Sequence, residues 1–340
     1  MTSFVAARPI VSLIVVNYNG ADCVRSCVES LLAESEPARE VLVVDNASTD
    51  ASRATLEDLQ RERPELQVIW NSENRGYAGG LNAALPRCRG RFVAAVNMDL
   101  TAEPGWLAPL VDFLDRHPEA GAVNPLVTLL DGERVNAVGQ DVHVTGLGFN
   151  SDLGRRRESV GSDPLPVSGI VGTAFLLRRE LLESMGGLDE AGFLYHEDVN
   201  LSWLLRTMGF ELYCVPQSAV RHDYTLSMYP EKLFLLERNR GSLLLTYLSP
   251  VTLVLLAPAL LLTELMLWGY ALLRGPRFLA AKARSYTWLW STRRKRADRR
   301  RLVARLRQRS DRQVLRSMKW RYAWHQFLTL AREQGPARRR

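Results

Sequence analysis

Only four cysteines occur in the 340 residues, Cys23, Cys27, Cys88 and Cys214, and no two of them form a C-x-x-C pair. That is too few for a disulfide framework in a chain this long, and it gives a zinc ribbon or a thioredoxin-like centre no support. The dinucleotide fingerprint G-x-G-x-x-G is missing after the first predicted strand, where the chain reads Asn17-Tyr18-Asn19-Gly20-Ala21-Asp22. No Gly-Lys-Ser/Thr phosphate loop occurs either. The phosphates of any bound nucleotide must therefore be neutralised by something else, and a carboxylate-held divalent cation is the usual alternative. A secretory signal is also missing. The apolar run Ile10–Val16 is short and leads to no small-residue cleavage site, so the N-terminal part is expected in the cytoplasm. There is no internal repeat.

What is present is ordinary globular material with an uneven charge. Hydrophobic residues make up 46% and charged residues 24%, which excludes disorder and fibrous repeats; the length fits about two domains. Residues 1–273 hold 22 Lys and Arg against 34 acids, a balance of −12, whereas residues 274–340 hold 22 against 3, a balance of +19. The basic character belongs to a tail. Such a block meets an anionic partner: a membrane surface, nucleic acid or a phosphorylated substrate.

The first hundred residues alternate strand and helix patterns. Continuous β-branched or apolar runs at Val11–Val16, Val41–Val44, Val68–Trp70 and Phe92–Val96 predict buried strands. Helices are expected over Ala21–Ala33, from caps at Ser48–Asp50 to about Glu62, and over Gly76–Leu85. Cys23 and Cys27 share a face of the first helix and read as packing. Strands and helices at this spacing predict a parallel α/β sheet, whose carboxyl edge is where ligands bind. That edge collects Asn17, Asn19, Asp45, Asn46, Asn97 and Asp99. The alternation breaks after about Pro125, and residues 129–166 predict a ribbon or mobile loop. A core block at Gly169–Arg178, helices near Glu180–Met185 and up to Met208, and strands at Glu211–Val215 and Ala219–Tyr224 follow.

Three elements carry candidate chemistry. Asn97-Met98-Asp99 closes a buried strand and puts an acid where a metal–diphosphate would sit; an ordinary turn acid is the plain alternative. Tyr195-His196-Glu197-Asp198 opens a helix, where acids also serve the helix dipole, yet one carboxylate there is suited to act as a general base on an acceptor hydroxyl. His222 is a lone histidine and gains a ligand role only beside Asp99.

These residues, taken in order, resemble a family-2 glycosyltransferase with the GT-A fold. The resemblance rests on Val11–Asn19, Val41–Asp50, Asn74-Arg75-Gly76-Tyr77-Ala78-Gly79-Gly80-Leu81-Asn82 and Asn97-Met98-Asp99. It continues with Gly172–Arg179, Gly187-Leu188-Asp189-Glu190 and His196-Glu197-Asp198, covering roughly residues 10–225. The subgroup it most resembles is the bacterial rhamnosyltransferase-like one, which acts on lipid-linked or cell-wall glycans.

The resemblance implies an α/β GT-A fold with a Rossmann-like, mostly parallel sheet. It implies a nucleotide-sugar-binding half over residues 1–125 and an acceptor-binding and catalytic half over 126–240; the apolar run and basic tail add a helical membrane-associating region over 241–340. Asp45 would contact the nucleotide base, with Asn17, Asn19 and Asn46 in the same cleft. Asn74, Arg75 and Gly76 match the segment near ribose and diphosphate. Asn97 and Asp99 stand at the D-x-D motif, with the first acid replaced by Asn. Asp99 would then be the chief ligand of Mg²⁺ or Mn²⁺, His222 would complete the shell, and imidazole favours Mn²⁺. Asp198 matches the catalytic base, with Glu197 and His196 beside it. The reaction implied is a single inverting displacement that moves a sugar from a nucleotide diphosphate to a glycan or polyprenyl-diphosphate-linked acceptor. Rhamnose from dTDP-rhamnose is the donor that the subgroup points to.

Leu243–Leu273 is almost wholly apolar, with Glu264 its only charge and Pro250 and Pro258 interrupting it. About 20 apolar residues cross a bilayer. A single crossing would, however, separate a cytoplasmic catalytic part from a tail that the positive-inside rule also keeps cytoplasmic. A re-entrant or interfacial helix pair broken near Pro258 satisfies both constraints; a buried helical hairpin is the plain alternative. Trp288, Trp290, Trp320 and Trp324 among the arginines suit an anionic membrane surface better than nucleic acid. The expected location is the cytoplasmic face of the bacterial inner membrane, peripheral or monotopic. Two rivals stand beside the enzyme. A non-catalytic sugar-nucleotide- or glycan-binding relative is favoured only by Asn97. A nucleotidyltransferase needs a basic Gly-rich N-terminal loop that is missing here.

Overall fold

A computed structural model describes residues 10–34 and 39–332; the last eight residues of the basic tail lie outside the described residues. Strand β1 (Val11–Asn17) is buried along its whole length, which its unbroken apolar run requires. It pairs in parallel with β2 (Arg39–Asp45) on one side and β4 (Phe92–Asn97) on the other, and β2 pairs with β3 (Gln67–Trp70). The register sets Asn17 beside Asp45 and Val16 beside Asn97, so the polar strand ends share one edge. Alternate β1 residues face opposite layers. Val11, Leu13 and Val15 pack with α1 (Val24–Leu32), α2 (Ser52–Glu62) and α4 (Leu107–Arg116). Ile14 and Val16 pack with α3 (Gly76–Ala84), α5 (Arg179–Ser184) and α6 (Glu197–Thr207).

The sheet continues through β5 (Leu100–Ala102), β6 (Ala120–Leu129), β7 (Val135–Ala137), β10 (Leu165–Pro166), β11 (Ala174–Arg178) and β12 (Glu211–His222). The order is β10-β12-β6-β11-β4-β1-β2-β3, and β11 runs antiparallel between β4 and β6, so the sheet is mixed. Residues 129–166 form an ordered ribbon that includes the pair β8 (Gln140–Val142) and β9 (Gly148–Asn150). Two expected strands are one: β12 is continuous, with an irregularity between Val215 and Ala219 where the sequence pattern breaks. The cap of α2 also differs. Ala51 holds the N-cap, and Asp50 accepts the Ser52 N–H.

Seven helices follow: α7 (Pro230–Tyr247), α8 (Pro250–Leu255), α9 (Ala257–Arg274), α10 (Pro276–Ser291), α11 (Arg293–Leu306), α12 (Asp311–Arg316) and α13 (Trp324–Arg332). The apolar run breaks at Leu256, and Pro258 sits in the first turn of α9, where its missing N–H leaves no bond unmade. No helix among the described residues is long and apolar enough to cross a membrane. Glu264 points inward. It meets Arg240 and Lys282, which also hold Glu237, in a cluster joining α7, α9 and α10. Burial works to raise the Glu237 carboxyl, but the two cations hold it down at about 2.

Candidate functional site

The donor-side residues form a linked set at the carboxyl edge. Asn17 donates to Asp45 at 2.9 Å and to Ser48 at 3.1 Å, and the Ser48 N–H returns to the second Asp45 oxygen. Asn19, in the left-handed region at φ 53°, accepts the Thr49 N–H. Asn46 is buried and acts as a tie: it donates to Asn74 and to the Gly76 carbonyl, and accepts from Asn71 and the Arg75 N–H. The Arg75 guanidinium is paired with Glu190 at 3.0 Å. Gly76, at φ 70°, is required by a close approach, since a Cβ there would meet the Phe193 carbonyl at 1.9 Å.

The second group stands where β5 meets β12. That pairing puts His222 opposite Leu100, one residue from Asp99, and His222 Nε2 is 3.2 Å from Asp99 Oδ1. His222 Nδ1 donates to Asn136 Oδ1 at 2.9 Å. With Nδ1 so engaged, Nε2 is the ring nitrogen that faces the Asp99 carboxylate, so a cation between them would meet two donor atoms. Adjacent ligands on a metal with bonds of about 2.1 Å stand about 3 Å apart, so the pair fits a divalent cation. Among the described residues no group of three or more His, Cys, Asp and Glu side chains could hold a metal.

The third group opens α6. Asp198 Oδ2 accepts the Gly172 N–H at 3.0 Å and the Gln140 side-chain amide at 3.1 Å, while Oδ1 accepts the Val199 N–H at 2.8 Å. Burial raises this carboxyl above its ordinary range although all these donors favour the anion. Glu197 is pushed up to about 8 by burial, with the charge of Asp198 adding to the effect. His196 is set differently. Its Nε2 is 2.7 Å from the Gly146 carbonyl, to which it donates, and burial lowers it to about 4, so it braces the ribbon as a neutral ring. Phe193, Tyr195 and His196 all hold positive φ, of 64°, 65° and 75°. Non-glycine residues keep such angles only where surrounding structure over-determines them.

A cavity of about 360 Å³ brings these groups together. Asn97, His222, Tyr77, Glu197 and Asp198 all line it. The phenol of Tyr77 is pushed up by burial and by the fields of Glu197, Asp198 and Asp99. Its lining also includes the apolar side chains of Phe149, Met228, Leu233, Leu236, Leu267 and Phe327, with Lys232, Glu237 and Arg240 among them.

Sequence reasoning missed Tyr77, Gln140, Asn136 and Asn239. Tyr77 lay inside a quoted motif and was legible there. Gln140 and Asn136 come from the ribbon, which carries no period. Asn239 lies on α7, where its side-chain amide is 3.0 Å from the Gly192 carbonyl, 3.1 Å from that of Leu194 and 2.8 Å from that of Tyr195, gathering three acceptors of the strained loop. Arg238 adds a bond to Gly192 at 2.9 Å.

Comparison with known proteins bears on the fold and the family. The "N-acetylglucosaminyl-diphospho-decaprenol L-rhamnosyltransferase" of Mycobacterium tuberculosis is 28% identical over 235 residues, covering 63% of this chain and 76% of that protein. The S. aureus TarS 1-349 structure in complex with UDP-GlcNAc superposes with a TM-score of 0.54 at 18% identity, covering 92% of this chain and 93% of that one. GalNAc-T7 with UDP, GalNAc and Mn²⁺ gives a TM-score of 0.57 at 16% identity; the match covers 71% of this chain and about half, 48%, of that one. At such identities the two structures speak for the fold, a mixed α/β GT-A architecture. The model of the family described as "Glycosyl transferase family 2" matches residues 12–186, and with half the chain so matched this protein belongs to that family.

Proposed function

We propose that this protein is an inverting, metal-dependent glycosyltransferase that moves rhamnose from dTDP-rhamnose to a lipid-linked glycan acceptor of the bacterial cell envelope. The observation that carries the proposal is that Asn97, His222 and Asp198 line one cavity. A leaving diphosphate beside the first two and an attacking hydroxyl beside Asp198 would then share one cavity. The rhamnosyltransferase relative, whose name includes a decaprenol-linked diphosphate, supports the donor and acceptor. The apolar side chains in its lining, such as Phe149, Leu233 and Phe327, suit an acceptor that carries hydrocarbon.

Asp198 acts as general base. Three hydrogen bonds fix its carboxylate, and partial desolvation makes it a stronger base than a solvated aspartate. It takes the proton of the acceptor hydroxyl as that oxygen attacks the anomeric carbon from the face opposite the diphosphate. Glu197, largely neutral at pH 7, keeps the pair from carrying two adjacent negative charges. Asp99 and His222, with the Asn97 amide nearby, would hold Mn²⁺ or Mg²⁺; the GalNAc-T7 structure contains Mn²⁺. The cation supplies Lewis-acid stabilisation of charge on the departing diphosphate. Asn17 and Asp45 receive the nucleotide base at the neighbouring strand ends.

The test is a transfer assay with a panel of nucleotide sugars, with and without Mn²⁺. Turnover is expected with dTDP-rhamnose and a polyprenyl-diphosphate-linked acceptor, and loss of turnover in chelator. Transfer from another donor only would overturn the sugar assignment, and full activity in chelator would overturn the metal.

A further inference from the structure

Among the described residues, the first 249 expose four large apolar side chains, whereas residues 251–290 expose eleven. The difference is not scatter. On α9, Leu261, Leu262, Leu265 and Leu272 recur at intervals of three, four and seven, which puts them on one face, and Val254 and Leu255 are exposed on α8 just before it. Leu255 is 75% exposed and Leu273 85%. Apolar surface of this extent in one strip marks an interaction site.

The opposite face of α9 is fastened. Thr263 is buried and its hydroxyl donates to Thr145 at 3.1 Å, while Glu264 is held by Arg240 and Lys282. Leu267, on that inner face, lines the cavity that contains Asp198. One helix therefore shows leucines to solvent on one side and a leucine to the catalytic cavity on the other.

Aromatic and basic groups flank the strip as they do at a water–lipid boundary. Trp268 donates its indole N–H to Tyr286 at 3.2 Å with the rings stacked, and both rings are half-exposed. Trp290 is exposed beneath the Arg293 guanidinium. Arg274 and Arg277 flank the α9–α10 junction, and Arg300 and Arg307 bond to the end of α7 just before α8 begins. Tryptophan and tyrosine at such a boundary, with arginine over anionic headgroups, define an interfacial surface.

We infer that α8 and α9 form a monotopic docking face for an anionic bilayer. The α9 axis lies in the membrane plane, its leucines enter the acyl boundary, and the arginines of α10 and α11 rest on the headgroups. At 18 residues, about 27 Å long, with a charged residue pinned at its middle, α9 lies on the bilayer and does not cross it. Charge decides between a bilayer and a second copy of this chain. The +19 balance of residues 274–340 attracts phosphate and repels another such surface. Docking also deepens the lipid-linked acceptor proposed above, because Leu267 of the docked helix lines the cavity, but its test needs no transfer.

The experiment is flotation of the full chain with vesicles of phosphatidylcholine alone and of phosphatidylcholine with phosphatidylglycerol. Binding to the anionic vesicles is expected. The double variant Leu262→Glu/Leu265→Glu should weaken that binding about tenfold or more, because it removes two apolar anchors from the immersed face. Both residues are exposed, so its melting temperature and its affinity for the nucleotide sugar should match wild type; that second readout tests donor binding separately from docking. Arg293→Gln/Arg294→Gln should weaken binding to anionic vesicles and leave the neutral ones unchanged. The inference is overturned if wild type stays at the bottom of the gradient with anionic vesicles, if the leucine variant floats like wild type, or if gel filtration shows a dimer that the leucine variant splits.

Discussion

The two ends of the chain bury their apolar residues in opposite ways. In residues 11–222 the strand runs are sealed on both faces by helices, and polar groups gather at one edge. In residues 250–290 the helices bury a narrow stripe and leave the wider apolar face outside. The first arrangement builds a nucleotide cleft and the second builds a contact surface. Yet the helical end is not an appendage, because α7 supplies Asn239 to the loop that sets Glu197 and Asp198.

The largest expected effect lies within the first region alone. Asp198→Asn should lower turnover about a thousandfold, the usual worth of a general base, and leave nucleotide-sugar affinity unchanged by calorimetry. Wild-type turnover in that variant would remove Asp198 from the chemistry. The next prediction probes whether the helices are part of the fold. Glu237→Leu leaves Arg240 and Lys282 buried with only Glu264 between them, and should cost about 3 kcal/mol or more in denaturant unfolding. Unchanged stability would show the helices to be independent of the core.

The link between the regions is tested by Asn239→Ala. Releasing three carbonyls of a strained loop should misplace Asp198 and reduce kcat about tenfold, with the donor KM held. Equal loss in kcat/KM for donor and in stability would make Asn239 a packing residue only. The smallest effect concerns pH. The Glu197 carboxyl is raised to about 8 in the folded protein from the unfolded value of 4.5, so the folded state binds its proton more tightly. Stability from this group is complete below pH 4.5 and is lost as pH rises towards 8. Glu197→Gln should flatten the fall in melting temperature between pH 6 and pH 9 by a few degrees. A parallel fall in both proteins would assign the loss to other groups.

The sequence made the first region largely legible because burial there has a period. Val11–Val16 and Phe92–Val96 announce strands sealed on both faces, and Asn17, Asp45 and Asn97 follow at their ends. The ribbon was illegible for the same reason in reverse. Gln140 and Asn136 earn their places by long-range contacts, with partners 58 and 86 residues away, and no local pattern encodes them. His196 shows a third case: its place beside two acids was readable, but its turn towards Gly146 depends on a left-handed backbone that sequence alone does not reveal. In the apolar run 243–273 composition was plain, but which residues face inward depended on where Glu264 finds its partners.

That solitary glutamate has a consequence for the rest of its helix. Anchored between Arg240 and Lys282, it fixes the roll angle of α9 as a key fixes a shaft. The leucines cannot swing inward when no bilayer is near. The protein accordingly keeps its greasy flank on display at all times, and away from lipid it should be prone to bind detergent micelles and to adsorb to apolar surfaces.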